Sequence, residues 1–144
     1  MSPRSARVAV GAWSAIKDEV LARYPHEACG VLLGRSGETL EILEARPAPN
    51  VDQERARDRY LLDPRSQLNI EKEARVRRLD VLGYFHSHPD HPSQASATDL
   101  ERSWEGFLYL IVSVRLGKVA DAKAWFRSRA ADGFGEMLLD GTEF

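Results

Sequence analysis

A single cysteine, Cys29, is all the chain holds, so no intramolecular disulfide can form and nothing points to an oxidising compartment. Long apolar runs are missing too. No stretch reaches the length of a membrane span, and the opening residues MSPRSARVAVGAW carry no apolar segment of signal-peptide length. These absences lead us to expect a cytoplasmic protein without a membrane partner. Charge of one sign is not in excess either: 20 Lys and Arg stand against 22 Asp and Glu, a net charge of −2, and no global field draws the chain to nucleic acid. Arginines do gather at Arg55, Arg57 and Arg59 and at Arg75, Arg77 and Arg78. Such runs are ordinarily solvated faces, with docking of an acidic partner as the second reading. Histidine is scarce, yet three of the four, His86, His88 and His91, fall within six residues.

With 144 residues and an ordinary apolar share of 43%, the chain is long enough to bury a core without covalent staples, and one domain over 1–144 is expected. Residues 6–10 are short and β-prone. Trp13, Ile16, Val20, Leu21 and Tyr24 then recur at helical spacing until Pro25 stops the helix. EACGVLLG reads as a buried strand apolar on both faces, with Gly30 and Gly34 allowing close approach or a turn, and ETLEILEAR pairs with it through the RSG turn. Residues 47–58 make a polar loop and RYLLD a short strand. Asp63-Pro64 starts a helix that should reach about Leu79. DVLGYFHSH is the next strand, PDHPSQA a loop and SATDLERSW a short helix. FLYLIVSVR and VADAKAWFR form a hairpin, and EMLLD adds an edge strand. The fold class is α/β, a mixed β-sheet flanked by about three helices.

The stretch GYFHSHPDHPSQASATDL carries the chemistry. On a strand, residues i and i+2 share a face, so the imidazoles of His86 and His88 converge, while Pro89 ends the strand just after them. Imidazole is a common zinc ligand, and a catalytic zinc keeps three protein ligands and an open position. Asp99 is placed to be the third, because Ser96 caps a short helix whose first turn carries that carboxylate. Taken alone, Ser-x-x-Asp resembles a capping box, and His-x-His is an ordinary packed pair. Together, in fixed order and spacing, they form a specific pattern.

That pattern, His86-Ser87-His88-Pro89, six residues, Ser96, two residues, Asp99, resembles the JAMM (MPN+) zinc metalloprotease family, and the likeness runs from about residue 8 to 127. The resemblance implies a cytidine-deaminase-like core, zinc held by His86, His88 and Asp99, and an upstream glutamate, which Glu27 in YPHEACGVLLG supplies. Glu27 would move the proton of the attacking water to the departing amine, and Ser96 would donate its hydroxyl to the oxyanion. One departure is Ala95, where many members have proline before the serine; it alters loop stiffness but no reacting group. His91 and His26 are left over, and Cys29 reads as core packing.

The short segments around the site look like the small bacterial branch, whose members resemble enzymes acting on ubiquitin-like sulfur carriers. The substrate so implied is a carrier's C-terminal Gly-Gly tail bearing cysteine or another adduct, laid along a strand edge. Arg55 to Arg59 would steer an acidic carrier. Self-association is left open to a homodimer. The competing class is a non-catalytic MPN-type scaffold, which metal content would separate from an enzyme. A zinc deaminase needs Pro-Cys-x-x-Cys, which one cysteine cannot provide.

Overall fold

A computed structural model describes residues 3–52, 54–128 and 133–143. The chain runs β1 (Ser5–Val8), α1 (Val10–Arg23), β2 (Cys29–Arg35), β3 (Thr39–Ala48), α2 (Pro64–Val76), β4 (Asp80–Pro89), α3 (Ala97–Glu101), β5 (Leu108–Arg115), β6 (Lys118–Arg127) and β7 (Phe134–Asp140). The strands join in the order β1-β3-β2-β4-β5-β6-β7, and β7 returns to pair in parallel with β1. The sheet is mixed, as expected, but it closes on itself rather than being a sheet simply flanked by helices. EMLLD lies within β7, which closes the ring between β6 and β1 rather than forming an edge.

The physical reason is the core. One cluster gathers apolar side chains from all seven strands around Trp13, Ile16 and Val20 of α1, so the sheet curls about that helix. Burying each such side chain contributes roughly 1.5–3 kcal/mol. Leu21, expected on the apolar stripe, is exposed instead, because the buried face runs through Ala12, Trp13, Ile16 and Val20. A second cluster lies on the outer face, where Ile70 and Ala74 of α2 cover Val31, Leu33, Tyr84 and Tyr109. β2 and β4 therefore have both faces covered, and each carries an apolar stretch without alternation, VLL in β2 and VLGYF in β4. Gly30 and Gly34 serve close approach: a Cβ on Gly30 would lie 2.3 Å from the Phe85 ring, and one on Gly34 1.8 Å from the Glu41 carbonyl.

Two further expectations shift. RYLLD is not a strand; Leu62 makes a single bridge to Asn50. The helix after Pro64 ends at Val76, three residues early, since Arg78 takes a positive φ of 58° and turns the chain into β4. The Asp63 cap is present: its carboxylate accepts from the Ser66 N–H and hydroxyl. Arg77, from the arginine run, pairs with Glu44 and Glu73, and Arg46 with Glu73 at 2.7 Å, tying α2 to β3.

Candidate metal centre

The site is built at the C-terminal end of β4. His86 and His88 project from one face there, with their Nε2 atoms 3.3 Å apart. Ser96 caps α3, which carries Asp99 toward them: Oδ1 lies 3.0 Å from Nε2 of His86, and Oδ2 lies 3.1 Å from Nε2 of His88. One ligand atom from each of the three lies within 4.8 Å of the others. The bland reading of Ser-x-x-Asp holds at the same time. The Asp99 N–H donates to Ser96 Oγ at 3.0 Å, and the Ser96 N–H donates to Asp99 Oδ2 at 2.9 Å, a complete capping box. The cap is what aims the carboxylate. Ser96 Oγ accepts one bond through this box, which leaves its own O–H to donate outward from an exposed position.

Glu27 lies two residues before β2. β2 begins at Cys29, two residues later than expected, and Cys29 pairs with His86. The Ser87 N–H to Ala28 carbonyl bond, 3.0 Å, extends that antiparallel register, and the Ala28 N–H donates back to Ser87 Oγ at 2.8 Å. The charges of His88 and Asp99 both act on the Glu27 carboxyl. The Glu27 carbonyl accepts from Asn50 Nδ2, and its N–H donates to the Ala56 carbonyl. Its carboxyl is buried, 4% exposed, and Oε1 has no hydrogen-bond partner among the described residues.

Burial sets the electrostatics. Loss of water raises the Glu27 carboxyl to about 8; the nearby His88 opposes the rise and the Asp99 charge adds to it. For His86 burial disfavours the imidazolium and wins over the Asp99 bond, so its pKa falls. For His88 burial acts the same way, but the Asp99 carboxylate and the Pro92 carbonyl together outweigh it and the pKa rises. Asp99 itself is desolvated, yet the two imidazoles hold it far below the usual carboxylate range. Two imidazole nitrogens and a carboxylate, converging out of solvent, form a donor set that suits a borderline cation of the zinc type. His88 Nδ1 lies 2.8 Å from the Pro92 carbonyl, which places the N–H on that side and turns the Nε2 lone pair to the centre.

The remaining candidates fall outside. His91 and His26 are exposed, and Cys29 is buried beside the Ala48 and Pro49 carbonyls with its thiol pushed up to about 12 by burial. Sequence reasoning missed Tyr60, whose ring stacks on His86 at 4.5 Å between centroids. Tyr60 also opens an aromatic hollow lined by Leu61, Tyr84, Trp104 and Tyr109, with Arg102 at its rim donating to the Tyr60 carbonyl. The only sequence signal was an aromatic in a stretch read as strand.

Residues 10–128 match the family described as prokaryotic homologs of the JAB domain. Two archaeal proteins named desampylase are similar in sequence. That of Haloferax volcanii is 42% identical over 90 residues, 62% of this chain and 63% of the relative, so the chain spans a little under two thirds of that protein. That of Pyrococcus furiosus is 33% identical over 104 residues, 71% of this chain and 67% of the relative. The solution structure of a Desulfitobacterium hafniense protein superposes over 96% of this chain and 95% of its own with a TM-score of 0.80 and 28% identity. A solution structure from Salinibacter ruber does so over 94% and 91%, with a TM-score of 0.69 and 33% identity. The family match runs from α1 to the end of β6 and spans Glu27, both histidines, Ser96 and Asp99, and on that ground the chain belongs to the prokaryotic JAB (JAMM/MPN) family.

Proposed function

We propose that this chain is a zinc-dependent peptidase or isopeptidase that hydrolyses the amide bond at the C-terminal Gly-Gly tail of a ubiquitin-like protein, a sulfur carrier or a related modifier. The observation that carries the reading is the meeting of three ligand atoms within 4.8 Å, with the buried Glu27 carboxyl close enough for the charges of His88 and Asp99 to act on it. The name of the two archaeal relatives supports removal of a protein modifier, and the compact loops favour a small carrier.

His86, His88 and Asp99 hold the ion. Bound there, zinc supplies Lewis acidity, which acidifies a water and polarises the scissile carbonyl. Glu27 takes a proton from the attacking water as its oxygen bonds to the carbonyl carbon. It then gives that proton to the amine nitrogen as the C–N bond breaks. In the metal-free chain burial raises this carboxyl above the ordinary glutamate range, which makes it a better proton acceptor than a surface glutamate. Ser96, with its Oγ lone pair engaged by the Asp99 N–H, donates its O–H to the oxyanion. Among the described residues every strand of the sheet pairs with two neighbours over at least part of its length. The segment 60–62, bridged to Asn50 on one side and touching His86 through Tyr60, is where an extended tail would lie.

The test is incubation of zinc-loaded protein with carrier–cysteine adducts and isopeptide-linked carriers, with and without a chelator, read by mass spectrometry. Release of the intact Gly-Gly carrier, abolished by chelation and restored by zinc, is expected. If loaded, folded protein leaves all these substrates intact, the non-catalytic scaffold replaces this reading.

A further inference from the structure

Residues 89–95, between the two halves of the metal centre, have no helix or strand of their own beyond Pro89, and prolines at 89 and 92 remove two N–H donors. A loop so poor in internal bonds would not by itself hold a ligand ring to a fraction of an ångström. We propose that Ser113, Asp121 and Trp125 are positioning residues that clamp this loop, fix the Nδ1–H tautomer of His88 and so set the metal affinity of the site. The metal part of this proposal rests on the function proposed above; the tautomer part does not.

The argument begins with register. His88 of β4 pairs with Ser113 of β5, and Ser113 pairs with Asp121 of β6. Cross-strand partners project from the same face, so a polar row crosses three strands, flanked along β5 by the buried Val112 and Val114. Each member of the row holds one of three consecutive loop residues. Ser113 Oγ donates to the His91 carbonyl at 2.6 Å. His88 Nδ1 donates to the Pro92 carbonyl at 2.8 Å. Asp121 Oδ2 accepts from Ser93 Oγ at 2.5 Å. Trp125, four residues along β6 and on the same face, adds its indole N–H to the Ser93 carbonyl at 3.1 Å.

Burial makes these bonds obligatory. Ser93 and Ser113 are each 1% exposed, and a buried hydroxyl without a partner costs free energy that a bonded one does not. The Pro92 carbonyl is gripped from both neighbours, through His91 by Ser113 and through Ser93 by Asp121 and Trp125. With that oxygen fixed, Nδ1 keeps an N–H and Nε2 is the nitrogen turned toward His86 and Asp99. The loop also hands the chain on to Ser96, so the same clamp sets where the α3 cap begins.

The test uses Trp125→Phe, Asp121→Ala and Asp121→Asn. The first removes the N–H and keeps a smaller aromatic ring; the last keeps an oxygen that accepts from Ser93. Two readouts are taken on folded protein. Zinc affinity is measured by competition with a chromophoric chelator, and the His88 tautomer by nitrogen-15 chemical shifts of metal-free protein at a pH where the ring is neutral. Trp125→Phe and Asp121→Ala should weaken zinc about tenfold, the lower end of losses seen for groups behind metal ligands, and shift His88 toward a mixture of tautomers. Asp121→Asn should restore most of both. Unchanged affinity together with an unchanged Nδ1–H signal in the first two variants overturns the proposal. Failure of the natural sequence to bind zinc instead removes the metal reading, and the tautomer shifts then decide the clamp alone.

Discussion

Glu27 shows how one position takes its chemistry from its surroundings. Following Pro25 and His26, it reads as an ordinary surface acid; the fold buries it and leaves Oε1 without a partner among the described residues. Because burial raises its folded-state pKa to about 8, the folded metal-free chain binds a proton that the unfolded chain has released above the ordinary glutamate value of about 4.3. Stability from this group is thus full at low pH and is lost as pH rises toward 8. Glu27→Gln removes that loss. In the presence of chelator, the melting temperature of the variant should gain on that of the natural sequence as pH climbs from about 5 to about 8. Hydrolysis by the same variant should fall roughly 10²–10⁴-fold, the usual contribution of a general base. A melting difference independent of pH would show that this carboxyl is not perturbed. The meeting of His86, His88 and Asp99 and the Ser96 cap were legible, because spacing on a strand and at a helix cap is local information. Tyr60, Ser113 and Asp121 were not: what makes them matter is which residue lies across from them, and register is set by the whole sheet.

At the scale of elements, most strands and all three helices were readable from periodicity and punctuation, with errors where backbone conformation decides the boundary. The β5–β6 hairpin was placed correctly around Leu116 to Lys118. Its turn is tighter than the sequence suggests: Leu116 has φ 50° and Gly117 φ 78°, the sign pattern of a type I′ turn. Leucine is a poor residue for this conformation, and here its side chain is 87% exposed and contributes no packing. Its N–H donates to Asp90 Oδ1 at 2.9 Å, so the turn is also pinned to the residue that opens the ligand loop. Leu116→Asn should keep that bond and relieve the left-handed strain, stabilising the protein by about 1 kcal/mol in denaturant unfolding. A neutral or destabilising result would mean that the leucine side chain has a role in the fold.

The whole molecule explains what no segment could. Closure of the sheet depends on β1 meeting β7, segments more than 130 residues apart in register Ser5–Leu138, and short apolar runs near the chain's ends carry no mark of that pairing. The closed sheet wraps α1, α2 covers the outer face, and β4, buried on both sides, delivers its two histidines to one end as part of a rigid body. A site mounted this way is preorganised, so metal binding should leave the fold unchanged and add stability by mass action, about 2.7 kcal/mol at a hundredfold excess over Kd. The central claim is that His86, His88 and Asp99 together hold one ion. Its most direct measurement is the metal content of zinc-loaded, dialysed protein beside His88→Ala and Asp99→Ala variants whose folding is verified by circular dichroism. One zinc per chain in the natural sequence and none retained by either variant is the predicted result. Equal zinc in all three, or none in any, contradicts it.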